Sequence, residues 1–282
     1  MRHDVSTRDG YCWDHSTPNS GAPGAVTSVN PTESDKYPFP FPNAVDPSLA
    51  HIDAIRVRAF KEQPDLFLML ISPTQGQALY WFVTLFKPRA ILEIGSFVGY
   101  SLAWLAEGYK RNLAQGMVPP LAADGQHPIT SFELDPMFVD IINDNMQRGK
   151  LDRLAKVYQG PAQASLENLA PGTQYDLIFI DADKSGYISY YETILRRKLL
   201  APGGLILCDN TLMFNQVHGQ YPPVKRAWDS DTLLVDGSQD QISPDCSPHH
   251  IYQFNKHVAN DPRTEQLLLP IFDGLTIIRV KE

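Results

Sequence analysis

Cysteine is scarce, with Cys12, Cys208 and Cys246 the only three in 282 residues. Their number and scatter exclude a disulfide framework and a cysteine-built zinc site. Cys208, inside an apolar run, reads as a small buried hydrophobe. Positive charge is also short: 24 Lys and Arg stand against 32 Asp and Glu, a net charge of −8. No basic stripe offsets this balance, so no nucleic-acid partner is expected, because phosphate backbones are held by clustered cations. No apolar stretch is long enough to cross a bilayer, and none near the N-terminus has the length of a signal-peptide core. The expectation is a soluble, cytoplasmic protein with no membrane association. What is present is globular, at 43% hydrophobic and 20% charged residues, and this length suits one α/β core.

Residues 1–43 stand apart, rich in Ser, Thr, Pro, Gly and Asn and ending in a Pro/Phe run from Tyr37 to Pro42. A segment with so little to bury cannot offset its ordering entropy, so a disordered tail is expected, with an extended strap over the domain as the alternative. Residues 44–282 form the expected domain. Helical spacing covers Asp53 to Glu62 and Gln75 to Phe86, and then strands and helices alternate. The strands are Ala90–Ile94, Ile129–Glu133, Ala155–Tyr158, Tyr175–Ile180 and Leu205–Cys208. Helices are expected at Ser101–Ala106, Met137–Met146, Ala164–Leu169 and Ile188–Leu200, the last stopped by Pro202, Gly203 and Gly204. Such alternation implies right-handed crossovers and a parallel sheet with helices on both faces. Gln266–Ile271 and Leu275–Val280, joined through Asp273 and Gly274, form a β-hairpin. A doubly wound, Rossmann-like sheet, mostly parallel with an antiparallel C-terminal hairpin strand, is the predicted fold. Ligands of such sheets bind at the carboxyl ends of the strands.

At the first of those ends, Gly95 and Gly99 allow a tight turn and a close approach of backbone to ligand. The spacing is G-x-x-x-G and differs from the G-x-G-x-x-G that cradles a pyrophosphate. Glu93 would repel phosphate and suits a cationic ligand, the ordinary alternative being a surface acid. Glu133 ends the next strand, where an acid is placed to accept ribose hydroxyls. Together they favour a nucleoside ligand without pyrophosphate over solvated loop acids. Asp181 follows the fourth strand, and Asp209 and Asn210 follow the fifth. Either segment alone is ordinary turn chemistry. Both together offer three oxygen ligands of the kind Mg2+ prefers, with positions left for water and substrate. His249 and His250 read as solvated residues of a polar loop.

These segments resemble the cation-dependent O-methyltransferases, the caffeoyl-CoA and catechol O-methyltransferase group. The resemblance runs from about Ala44 to the end, through Met69–Gln77, Leu92–Ser101, Gly160–Ala162, Tyr175–Lys184, Asp209–Leu212 and Asp273–Thr276. It implies S-adenosyl-L-methionine as cofactor, held by Ser72, Glu93, Gly95, Ser96, Ser101, Glu133, Ala162, Asp181, Asp183 and Tyr190. It implies a divalent cation, Mg2+ first with Mn2+ or Ca2+ as substitutes, on Asp181, Asp209 and Asn210, and Lys184 as the catalytic base. A small aromatic hydroxyl compound is the implied acceptor, and a homodimer follows by analogy. Ile71 stands where plant members often carry Thr, and Glu133 replaces their Asp. Residues 216–250 are longer than usual and lack the plant substrate-loop sequence, so the identity of the acceptor does not transfer.

The physics is consistent with the implied roles. A phenol, with a pKa of about 10, is a poor nucleophile until deprotonated. A divalent cation stabilises the phenolate, and in-line positioning supplies much of the acceleration of methyl transfer. The ordinary alternative for Lys184 is a surface salt bridge to Asp183. Two other functions share the fold: an NAD-dependent dehydrogenase, which lacks support from the glycine turn, and a catalytically silent binding subunit, against which the complete metal and base positions speak.

Overall fold

The computed structural model describes residues 49–121, 126–213, 217 and 247–281. Seven strands form one sheet in the order β3-β2-β1-β4-β5-β7-β6. They are β1 (Ile91–Ile94), β2 (Ile129–Glu133), β3 (Ala155–Gln159), β4 (Tyr175–Ile180), β5 (Leu200–Cys208), β6 (Thr264–Leu269) and β7 (Leu275–Val280). β1 to β5 pair in parallel. β7 enters antiparallel between β5 and β6, as the expected hairpin requires.

Successive residues of a strand point to opposite faces, and here both faces are apolar. Ile91, Leu177, Phe179 and Leu207 pack on one side with Ile52, Leu79, Leu102 and Ile142. These belong to α1 (Ala50–Glu62), α2 (Pro73–Phe86), α3 (Tyr100–Ala114) and α4 (Pro136–Arg148). On the other side Leu92, Ile94, Ile178, Ile180 and Ile206 pack with Leu166, Ile194, Ile251 and Phe254. Those come from α5 (Ala162–Asn168), α6 (Tyr187–Arg196) and α7 (Ser247–Ala259). Each such aliphatic side chain, wholly removed from water, contributes about 1.5–3 kcal/mol, which is why near-continuous apolar strands carry this fold.

Several boundaries depart from the sequence reading. α6 ends at Arg196, short of the expected Leu200, and Lys198 takes a left-handed φ of 55°. β5 then starts at Leu200 opposite Tyr175, bulges across Ala201–Gly204, and rejoins at Leu205 opposite Leu177. Pro202 and Gly203 therefore interrupt a strand rather than close a helix, as bulges accommodate. His249 and His250 are not loop residues: both lie in the first turn of α7, half-buried. The spacing of Ile251, Phe254 and Val258, all buried, is that of a helix packing one apolar face. Cys208 is buried and free, as expected. The tail expected at 1–43, and residues 216 and 218–246 of the long segment, lie outside the described residues.

Candidate functional site

Strand register builds the site. Ile94 of β1 lies beside Phe132 of β2 and Ile180 of β4, and Ile180 lies beside Cys208 of β5. The residue after each member of this row is Gly95, Glu133, Asp181 and Asp209. Main-chain bonds step across the sheet at this level: Gly95 N donates to Phe132 O at 3.0 Å, Asp181 N to Ile94 O at 2.9 Å, and Asp209 N to Ile180 O at 3.0 Å. Four residues remote in sequence thus meet along one edge, on both sides of the point where the strand order reverses.

On one side of that point is the glycine turn. Gly95 has φ 87°, and a Cβ there would lie 2.2 Å from the Asp181 carbonyl oxygen, so only glycine lets the β1 and β4 ends touch. Glu133 holds the turn: its Oε2 accepts from Ser96 N at 3.2 Å and Phe97 N at 2.8 Å, and its Oε1 from Asp135 N at 3.0 Å. A carboxylate has further acceptor capacity at Oε1. Glu93 is neither a surface acid nor open to solvent. It is fully buried, accepting from Ser101 Oγ at 2.7 Å and Ser131 Oγ at 2.6 Å. Burial pushes its carboxyl up to about 7, against the pull of those hydroxyls. Glu93 and Ser101 therefore form one unit beneath the turn.

On the other side are the acids. Burial, and secondly the neighbouring Asp181, push the Asp209 carboxyl up to about 7. Its Oδ1 is buried with no hydrogen-bond partner in the structure. Asn210, in the left-handed region at φ 55°, donates from Nδ2 to Asp273 Oδ2 at 3.1 Å. Lys184 is buried in a 3-10 turn, Lys184–Gly186. Its Nζ lies 2.9 Å from Asp181 Oδ1 and 3.0 Å from the Tyr187 hydroxyl. The pairing is with Asp181, so a surface bridge to Asp183 is excluded. Asp183, exposed, accepts instead from the Tyr190 hydroxyl and from Ser185 Oγ. Ala162 opens α5 directly after Gly160 and Pro161. Ser72 caps α2, accepting from Gln75 N at 3.1 Å.

Three residues here were given no role at the site from sequence. The Gln75 side chain, 4% exposed, draws the Asp209 carboxyl slightly down, yet its Nε2 and Asp209 Oδ1 both lack a closed hydrogen bond. It brings the start of α2, and with it Ser72, to the acidic centre. Tyr187, fully buried, shares its hydroxyl proton between Ile180 O at 3.2 Å and Asp209 O at 3.1 Å while accepting from Lys184. It ties the ends of β4 and β5 to the lysine. Asp273 joins from the hairpin turn. No periodicity marks such residues, because each acts through one polar contact across the chain.

The donor set fits a hard divalent cation: two carboxylates and an amide oxygen, one carboxylate oxygen being buried without a partner. A second group of suitable chemistry, Glu192, His257 and Asp261, has its ligand atoms within 4.8 Å of one another. Arg263 already neutralises it, lying 2.7 Å from Glu192 and 2.6 Å from Asp261, and it carries no metal argument.

The comparisons agree with this architecture. The sequence profile of the O-methyltransferase family matches residues 48–281. The chain is 30% identical over 248 residues to O-methyltransferase ankF of Aspergillus thermomutatus, covering 88% of this chain and 92% of that protein. It is 28% identical over 216 residues to caffeoyl-CoA O-methyltransferase 2 of Populus trichocarpa, covering 75% of each. The crystal structure of the SAH-bound methyltransferase PaMTH1 of Podospora anserina matches with a TM-score of 0.64 and 27% identity, over 92% of this chain and 100% of that one. With a doubly wound sheet, a glycine turn at its first strand and a profile match spanning the described domain, this chain belongs to the O-methyltransferase family.

Proposed function

We propose that this chain transfers the methyl group of S-adenosylmethionine to a hydroxyl of a small aromatic acceptor, in a reaction that requires a divalent cation, Mg2+ first. The observation that carries the metal requirement is the buried, unpartnered Asp209 Oδ1 beside Asp181 and Asn210. The names of the relatives support an aromatic acceptor: besides the caffeoyl-CoA enzyme, a catechol O-methyltransferase of Mycobacterium tuberculosis is 30% identical over 189 residues, 67% of this chain and 76% of that protein. A homodimer and a cytoplasmic location belong to the same proposal. No helix among the described residues is long and apolar enough to cross a membrane.

When bound, the cation supplies a Lewis acid for the acceptor oxygen and the sulfonium supplies the methyl group. Asp181, Asp209 and Asn210 would hold the cation. Glu133, through its remaining acceptor capacity at Oε1, would take a ribose hydroxyl while its other bonds keep the Ser96–Phe97 turn in place. Gly95 lets the ends of β1 and β4 close against each other, which would set the cofactor half beside the acidic half. Asp183, Tyr190, Ala162 and Ser72 would complete the rim of the cofactor half, with Ser101 and Glu93 beneath it. As the neutral amine, Lys184 Nζ would spend its two N–H groups on Asp181 and the Tyr187 hydroxyl and receive the acceptor's proton on its lone pair. A labelled-methyl assay over catechols, flavonoids, polyketide phenols and coenzyme-A esters, with and without Mg2+, tests the proposal. EDTA should abolish transfer, and Mg2+ or Mn2+ should restore it. Full turnover in chelator would remove the metal role, and no transfer to any acceptor would favour a silent binding subunit.

A further inference from the structure

We propose that Asp273, in the turn of the C-terminal hairpin, decides which end of the Asn210 amide faces the cation. The inference rests on the metal-dependent reading above. A primary amide has two ends of nearly the same shape: the oxygen accepts, and the nitrogen carries two donors. Only the oxygen can ligate a hard cation. An Asn ligand turned by 180° would lose its bond and point N–H groups at positive charge.

The main chain around Asn210 leaves that rotation as the remaining choice. Asp209 N donates to Ile180 O, Thr211 N to Gly274 O at 3.0 Å, Leu212 N to Asp273 O at 2.9 Å, and Met213 N to Asn210 O at 3.0 Å. These bonds fix the backbone on both sides of the residue. Among the described residues the side chain is then oriented by one hydrogen bond, Nδ2 to Asp273 Oδ2 at 3.1 Å. An ionised carboxylate accepts and never donates, so it can satisfy the nitrogen end alone. With the nitrogen held there, the oxygen is directed away from Asp273.

Topology brings the turn to this place. β7 runs antiparallel beside β5, with Thr276 opposite Cys208, so the residues just before β7 meet those just after β5. Gly274, at φ 88°, allows the approach: a Cβ there would lie 2.4 Å from Leu212 N. The Asp-Gly pair therefore serves the ligand loop as well as reversing the chain. Ligand-orienting carboxylates outside the metal's own shell typically govern affinity by tenfold to a hundredfold.

The test uses the full chain and Mn2+ alone, with free ion measured by electron paramagnetic resonance. Wild type, D209N, D273A and the isosteric D273N are compared, with S-adenosylhomocysteine affinity by calorimetry and the melting temperature as parallel readouts. D273A should weaken Mn2+ binding about tenfold to a hundredfold. D273N should weaken it less, because a second amide can accept or donate and no longer dictates the orientation. For D273N, cofactor-product affinity and melting should stay at wild-type values. Mn2+ affinity of D273N equal to wild type overturns the inference, as does a loss matched by equal losses in S-adenosylhomocysteine binding and melting temperature. A wild type that binds no Mn2+, or a D209N variant that binds it equally well, defeats the metal reading itself and this inference with it. Wild-type binding that D209N abolishes and D273N leaves untouched defeats the inference alone.

Discussion

If Asp209 ligates the proposed cation, divalent-cation affinity should depend on pH in a range where an ordinary aspartate would be indifferent. Its carboxyl, normally at 3.8, is pushed up to about 7, first by burial and then by Asp181. Ligation requires the carboxylate, so below this value a cation must displace a proton. A carboxyl at about 7 would be about nine-tenths ionised at pH 8 and about one-tenth at pH 6, so apparent affinity should fall about tenfold between them, or about 1.4 kcal/mol. An aspartate at 3.8 would be almost wholly ionised at both values and would give no change. Calorimetry with Mn2+ in two buffers of different ionisation enthalpy measures both the affinity and the proton released on binding. The metal-free fold should respond in the opposite sense. A carboxyl raised in the folded state gives stability that is full below 3.8 and is lost as pH rises through about 7, because the folded state binds more protons in that window. Glu93, also raised to about 7, adds to this loss. Saturating Mn2+ should remove the Asp209 share and leave that of Glu93. An affinity flat from pH 6 to 8, with no proton released, would show that the acidic centre is not built as described.

Three further outcomes follow from the geometry. Lys184→Ala should slow methyl transfer about 10²–10⁴-fold while leaving S-adenosylmethionine affinity unchanged, and the defect should shrink from pH 6 to 9.5 as hydroxide replaces the base; a near-normal single-turnover rate throughout would leave Lys184 a structural partner of Asp181. Glu133→Ala should weaken S-adenosylmethionine by about 1.5–3 kcal/mol in calorimetry, with Mn2+ affinity retained; unchanged affinity would remove Glu133 from the cofactor half. Gly95→Ala should cost at least about 2 kcal/mol of stability in denaturant unfolding, because its Cβ would meet the Asp181 carbonyl at 2.2 Å with φ at 87°; a stable variant that binds cofactor would show that the β1 and β4 ends need not touch.

Much of the fold was legible because strand and helix periods are local. The apolar runs Ile91–Ile94 and Tyr175–Ile180, and the Asp-Gly hairpin, each state their structure within a few residues. The misplaced helix end at Arg196 has another cause. Leu199 and Leu200, both buried, continue a helical pattern as well as they begin a strand, and the β5 bulge that decides between them depends on Tyr175 and Leu177 across the sheet. The candidate site divides in the same way. Asp181, Asp209 and Asn210 could be picked out because chain order places them just past strand ends, where register makes them converge, and Lys184 through the family resemblance. What sequence could not supply is the state in which they meet. Glu93 could equally have been a surface acid; in the fold it lies buried with Ser101 and Ser131 as its donors, and burial holds its carboxyl up to about 7 against their pull. Lys184 could equally have paired with Asp183 one residue before it. The turn after Asp183 instead swings its Nζ inward to Asp181 and Tyr187, and Asp183 is left outside to hold Tyr190. The same side chains, one turn differently wound, would be a solvated ion pair. The position of that turn against the end of β5, clasped through the Tyr187 hydroxyl, is what holds the Lys184 amine between Asp181 and Tyr187, where the proposed mechanism needs a base.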